Sequence, residues 1–196
     1  MVVTKPVGVL SLQGDFREHL QAFDRLGIPA VQLKVAKQLS DVSGLVIPGG
    51  ESTTIAKLSR IFNVLEPIRE AIREGLPVFG TCAGLIMLAD EITDGIEDQE
   101  TFGGLDVVVQ RNAFGNQLDS FEIDLPFTGI DGTIHAAFIR APLITKVGAK
   151  ASVVASLEDG RIVGVQQERR LGISFHPELT GEDRIHRYFY DALVCA

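Results

Sequence analysis

Pro77-Val78-Phe79-Gly80-Thr81-Cys82-Ala83-Gly84-Leu85-Ile86-Met87-Leu88 decides the fold of this chain. The stretch predicts a short buried strand that stops at Gly80, turns sharply through Cys82 and runs at once into an apolar helix. This is the Gly-x-nucleophile-x-Gly elbow, with Cys in the Ser position. A strand that reverses straight into a helix crowds its backbone around the turn residue, so side chains at Gly80 and Gly84 would clash. The turn residue itself is commonly strained, which holds its side chain up and exposed. A thiol at a helix start also lies beside unpaired N–H groups and the positive end of the dipole, which favour its reactive anionic form. A lone Cys in an apolar run is usually one more small buried hydrophobe. Glycines on both sides, after a strand and before a helix, point to a nucleophile instead.

Upstream of the elbow, strands and helices alternate. Val7 to Leu12 is a buried strand, and Gln13-Gly14-Asp15 ends it and can cap a helix from Phe16 to Leu26, with Leu20, Phe23 and Leu26 on one face. Gly27-Ile28-Pro29 turns into a strand over Ala30 to Leu33, and Val42 to Ile47 supplies a third. This βαβ pattern implies a parallel sheet covered on both faces. The third strand ends at Pro48-Gly49-Gly50-Glu51-Ser52-Thr53-Thr54, before the helical run Ile55, Leu58, Ile61, Phe62. Two glycines there let the backbone approach a ligand with its N–H groups exposed, although an ordinary βα turn has the same look. No Gly-x-x-x-x-Gly-Lys-Ser/Thr is present, which excludes a P-loop.

Downstream the pattern changes. Asp94 to Glu100 is a polar loop, and short β-rich runs follow at Leu105 to Gln110, Phe121 to Leu125, Thr133 to Ile139, Ser152 to Leu157 and Ile162 to Gln166. Asp131-Gly132 and Asp159-Gly160 supply turns between them, the second a strong hairpin signal. The expected fold is therefore an α/β three-layer sandwich, with a mostly parallel central sheet and antiparallel additions in its second half. One domain over residues 1–196 is expected, since 45% hydrophobic and 22% charged residues suit a single full-sized core. The two cysteines, Cys82 and Cys195, give neither a disulfide framework nor metal-ligand spacing, which favours a reducing cytoplasm. No signal peptide or bilayer-length apolar run is evident. A net charge of −8 with scattered basic residues argues against nucleic acid as a partner.

A thiolate needs a proton shuttle, and the shuttle needs an acceptor on its other nitrogen. His176-Pro177-Glu178 supplies both after the strand Leu171 to Phe175; in an extended segment the two side chains point to one side, and Pro177 disfavours helix at His176. His19, His135 and His186 lack such context and read as structural histidines. An oxyanion hole needs two converging donors. The first is the N–H of Ala83, and Gly50 is the natural second, because both loops lie beyond the carboxyl ends of parallel strands.

Gly80-Thr81-Cys82-Ala83-Gly84 together with His176-Pro177-Glu178 resembles the triad-type (class I) glutamine amidotransferase family. Further blocks, Gly8 to Gly14, Ile47 to Thr54, Arg111-Asn112-Ala113-Phe114-Gly115, Phe138 to Pro142 and Ser174 to Thr180, resemble the glutaminase subunits of pyridoxal 5′-phosphate synthase within it. The resemblance implies that Cys82 is the nucleophile, that His176 shuttles its proton and that Glu178 orients His176. It implies that Gly49, Gly50, Glu51, Ser52, Arg111, Ile139 and Arg140 hold L-glutamine, with an arginine on the α-carboxylate and Glu51 on the α-ammonium. It implies ammonia passed through a channel to a barrel-shaped synthase subunit, with no metal and no cofactor in this chain. Asn116 departs from the family, where Arg is expected after Phe-Gly. Two rival readings remain at this point: a stand-alone cysteine amidase or peptidase active without a partner, and a non-catalytic binding or regulatory module.

Overall fold

The protein is described by a computed structural model over residues 5–95, 99–111 and 120–196. Val7–Leu10 (β1), Gly44–Ile47 (β3) and Val78–Thr81 (β4) are buried at every residue, as strands covered on both faces must be. Ala30–Leu33 (β2) is partly exposed and forms one edge. These four run parallel in the order β2-β1-β3-β4, and Arg170–Ile173 (β12) adds to β4, also in parallel. The ten-stranded sheet continues through Ile162–Gln167 (β11), Leu143–Val147 (β9), Leu105–Gln110 (β6) and Ala89–Thr93 (β5), with Ser152–Ser156 (β10) on β11. Apart from the parallel β5–β6 pair, these additions are antiparallel. This is the α/β sandwich expected from the sequence.

Alternation along the strands builds two cores. Leu45 and Ile47 face an apolar cluster under Ser52–Ile61 (α2), Leu65–Arg73 (α3) and Ala83–Leu88 (α4), while Val46 between them joins the cluster on the opposite face. That second face is covered by Phe16–Arg25 (α1), by Arg184–Tyr188 (α6) with the π-helical turn Phe189–Val194, and by the hairpin Phe121–Phe127 (β7) and Ile130–Phe138 (β8). Phe79, Phe138, Phe175 and Phe189 are fully buried there, each stabilising the fold by about 1.5–3 kcal/mol relative to exposure.

Several details differ from the sequence reading. The hairpin β7–β8 is a separate two-stranded sheet, and it turns at Thr128-Gly129, not at Asp131-Gly132, which lies within β8. A register shift at Pro126/Phe127 accompanies the earlier turn. Strands β5 and β9 carry no clear alternation and follow their predecessors without a strong turn signal. The Asp159-Gly160 hairpin is present, closed by Leu157 N–H donating to the Arg161 carbonyl at 2.9 Å. Of the polar loop Asp94 to Glu100, residues 96–98 lie outside the described residues, as do Asn112 to Gly115 of the Arg111 block and Asn116. Among the described residues no helix is long and apolar enough to cross a membrane.

Candidate active site

The elbow forms as its glycines require. A Cβ on Gly80 would come within 2.5 Å of the Gly84 backbone, and one on Gly84 would strike the carbonyl oxygen of Ile47. Helix α4 can therefore start directly on the end of β4. Cys82 takes φ 49 and ψ −103, a left-handed conformation costly for a side-chain-bearing residue. Its N–H donates to the Ile173 carbonyl at 2.8 Å, and its sulfur lies 4.0 Å from the Ile139 carbonyl oxygen. Ala83 opens α4, so its N–H is one of the first-turn donors that no intrahelical carbonyl can reach.

Pairing β12 beside β4 brings the second half of the site to the first. Ile173 lies opposite Thr81, so the chain reaches His176 just beyond the strand end that carries Cys82. His176 Nδ1 is 2.7 Å from Glu178 Oε1, and both side chains are buried. The contact arises differently from the sequence expectation. The segment is not extended: Pro177–Thr180 is a short helix (α5) with Pro177 at its start and His176 as N-cap, which swings Glu178 back onto the imidazole. Burial pulls His176 toward neutrality, but hydrogen bonds and charge from Cys82 and Glu178 outweigh it and push its pKa up to about 11. Burial disfavours the Glu178 carboxylate, yet His19 and His176 more than offset that and hold it below the usual glutamate range.

Beside these groups is a pocket of about 360 Å³, lined by Gly50, Glu51, Ser52, Cys82, Arg111, Ile139, Arg140 and His176 among others. Every sequence-predicted residue except Gly49 and the buried Glu178 and Ala83 is on its wall. Gly49 sits behind it: a Cβ there would strike the His176 ring, and its carbonyl accepts from Asp15 N–H at 3.0 Å. Gly50 adopts φ 150, which a side chain would strain. Arg111 donates from Nη2 to Glu51 Oε1 at 2.8 Å, and its Nε is buried with no partner among the described residues. Glu51 also caps α2 through Thr53, and Ser52 accepts from Gln99 at 3.0 Å. Arg140 is exposed at φ 45.

The sequence reading gave no functional role to Gln13 or Asp15. Gln13 Oε1 accepts from Glu51 N–H at 2.8 Å and braces the Gly49-Gly50 loop. Asp15 stands at the start of α1 without capping it; its carboxylate is 3.6 Å from His176 Nδ1 and burial raises its pKa. The strand order is the missing signal. The sheet reverses direction between β1 and β3, and the loops after those two strands meet at that switch point, where ligands of open α/β sheets bind.

A thiol on a strained strand-to-helix turn, a buried His–Glu pair beyond the neighbouring strand and a pocket between them define the acyl-transfer class of α/β proteins, able to form and hydrolyse a thioester. Comparison with known proteins agrees. The family model described as the SNO glutamine amidotransferase family matches residues 9–195, and the chain belongs to that family. It is 58% identical over 94% of its length to a protein of Clavibacter michiganensis named pyridoxal 5′-phosphate synthase subunit PdxT, covering 89% of that protein. A Nocardioides protein of the same name is 52% identical, with 99% and 98% covered. A solved glutamine amidotransferase superposes with a TM-score of 0.90 at 48% identity, with 97% and 99% covered.

Proposed function

We propose that the chain is a glutaminase subunit of a pyridoxal 5′-phosphate synthase, hydrolysing L-glutamine to L-glutamate and ammonia and passing the ammonia to a separate synthase subunit. The observation that carries this reading is the convergence of Cys82, the His176–Glu178 pair and the Arg111–Glu51 pair on one pocket sized for an amino acid. Family membership and the names of the relatives support the same reading, and they favour it over a peptidase or a silent module. In the proposed reaction the Cys82 sulfur attacks the side-chain amide carbon, and the carbonyl electrons move onto oxygen, which accepts hydrogen bonds from the N–H groups of Ala83 and Gly50. The C–N bond breaks as the protonated His176 gives its proton to the leaving nitrogen, releasing ammonia and leaving a thioester. Water, deprotonated by His176, attacks the thioester, and the C–S bond breaks to return the thiolate and glutamate. Glu178 keeps Nδ1 occupied throughout. Arg111 pairs its planar fork with the α-carboxylate, Glu51 takes the α-ammonium, and Gly49, Ser52, Ile139 and Arg140 complete the wall. No metal or cofactor takes part, residues 1–196 act as one domain, and the compartment is the cytoplasm.

The test is glutamine kinetics of the chain mixed with its synthase subunit, comparing wild type with Arg111→Ala. Losing hydrogen bonds to a charged partner costs about 1.5–3 kcal/mol, so KM rises roughly 10- to 100-fold while kcat changes less. An unchanged KM would remove Arg111, and with it the glutamine assignment of this wall.

A further inference from the structure

Two histidines outside the triad form a buried chain behind it. His19, on the inner face of α1, and His186, on α6, have no solvent exposure. His19 Nδ1 is 2.8 Å from His186 Nε2. The other nitrogen of His19, Nε2, is 3.1 Å from Thr81 Oγ1 and 3.7 Å from Glu178 Oε1, the same oxygen that holds His176. Phe79 and Phe23 stand edge-on to the His186 ring, and Phe79 also to His19, so neither imidazole is free to turn. The triad carboxylate thus lies between two imidazoles, one toward the pocket and one toward the core.

The proton positions follow from the hydrogen-bond accounting. His186 Nδ1 is buried and has no partner among the described residues. A buried N–H without an acceptor is costlier than a bare lone pair, so the His186 proton resides on Nε2 and is donated to His19 Nδ1. The single proton of a neutral His19 is then on Nε2, aimed at Thr81 and Glu178. Burial pushes both rings toward the neutral form. What reaches Glu178 is therefore an N–H dipole, reinforced by the one behind it. That dipole acts on Oε1 from 3.7 Å, and Glu178 has little else to hold its charge, because its Oε2 is buried with no partner among the described residues.

We propose that His19, with its tautomer set by His186, is a positioning residue of the triad: its Nε2–H keeps Glu178 ionised and turned toward His176 Nδ1, and Thr81 ties it to the Cys82 turn. The proposal rests on the glutaminase reading. Glu178 is faced by His176 from its own segment and by His19 from α1. Cys82 lies on the far side of His176, whereas Asp15 stands on the Nδ1 side, 3.6 Å from that nitrogen, where its carboxylate and that of Glu178 repel; Glu18 bears on His19, and Arg25 on His186. None of these besides His176 and His19 brings a donor to the carboxylate.

The test compares wild type, His19→Leu, His19→Gln and His186→Leu, each mixed with the synthase subunit and checked for native fold by circular dichroism. Glutamine turnover is measured across the acidic and neutral range. His19→Leu is expected to lower kcat roughly 10- to 100-fold, as loss of an outer hydrogen-bond partner commonly does, with KM nearly unchanged. Its acidic limb moves to higher pH, because Glu178 then takes up a proton more readily. His19→Gln, whose amide N–H reaches the place of Nε2, recovers most of the rate and the wild-type limb, and His186→Leu loses less than His19→Leu. A wild-type kcat and limb in His19→Leu would overturn the proposal, as would equal losses in the Leu and Gln variants with no movement of the limb. If His19→Leu does not fold, His19→Asn, whose amide reaches only the Nδ1 position, carries the same expectation. Iodoacetamide alkylation of Cys82 separates the two readings. Absent glutamine turnover in wild type overturns the glutaminase assignment, while slower neutral-pH alkylation in His19→Leu than in wild type and His19→Gln still supports the positioning role, and equal rates overturn it.

Discussion

Glu178 shows how a buried carboxyl can stay ionised and what that implies for stability. Burial alone would push its pKa up, but the electrostatic influence of His19 and the hydrogen bond and charge of His176 reverse the balance and hold the native value below 4.5. In the unfolded chain those partners are gone, so just below 4.5 the unfolded state binds more protons than the native one. The stabilisation is therefore complete above that value and lost as pH falls through the native value. Denaturant unfolding of wild type and Glu178→Gln over the acidic range checks this. Wild type is expected to lose stability more steeply on acidification than Glu178→Gln, and parallel curves would show that the carboxylate is not held this way. Cys82, His176 and Glu178 were all legible as candidates from sequence, because elbow glycines and a His-Pro-Glu run are local. His19 and His186 were not, since 167 positions separate the two rings that touch, and each alone looks like an ordinary core histidine.

The elbow as an element stores strain at Cys82. With φ 49 and ψ −103 at Cys82, a side chain there costs on the order of 1–3 kcal/mol relative to an unstrained residue. Glycine adopts such angles freely, though it adds back about 0.4–1 kcal/mol through the freedom of the unfolded chain. Cys82→Gly should accordingly be more stable than Cys82→Ala by about 1 kcal/mol, measured as the urea midpoint of each. The reverse order would mean that the turn does not impose the strain. The position of this element was readable because Gly80 and Gly84 bracket it, and the packing of each against backbone confirms why neither can carry a side chain. By contrast, the extended His176-Pro177-Glu178 on which the expected contact was conditioned is not what forms: proline at the first position of a short helix and proline after a strand look alike in sequence.

At the scale of the whole molecule, the site is a product of strand order. Cys82 and His176 meet because β12, from the end of the chain, lies parallel to β4, and Gln13 braces the Gly49-Gly50 loop because β1 and β3 are neighbours at the switch point. Alternation of strands and helices gave the fold class, but it carries no information on the order in which strands pair or on the detached hairpin β7–β8. Those depend on tertiary packing, and with them went Asp15, Gln13 and the two inner histidines. The proposed partner acts at this scale too. A loop whose glycine takes φ 150 and whose neighbour Glu51 is held by Gln13 and Arg111 can change the orientation of its peptide when a docking subunit binds one arrangement better. The central claim is tested most directly by ammonia and glutamate release from L-glutamine, measured for the chain alone, after mixing with its synthase subunit, and for Cys82→Ala in the same mixture. Release that rises on mixing and vanishes in Cys82→Ala is the expected result; no release in either wild-type condition would contradict the account.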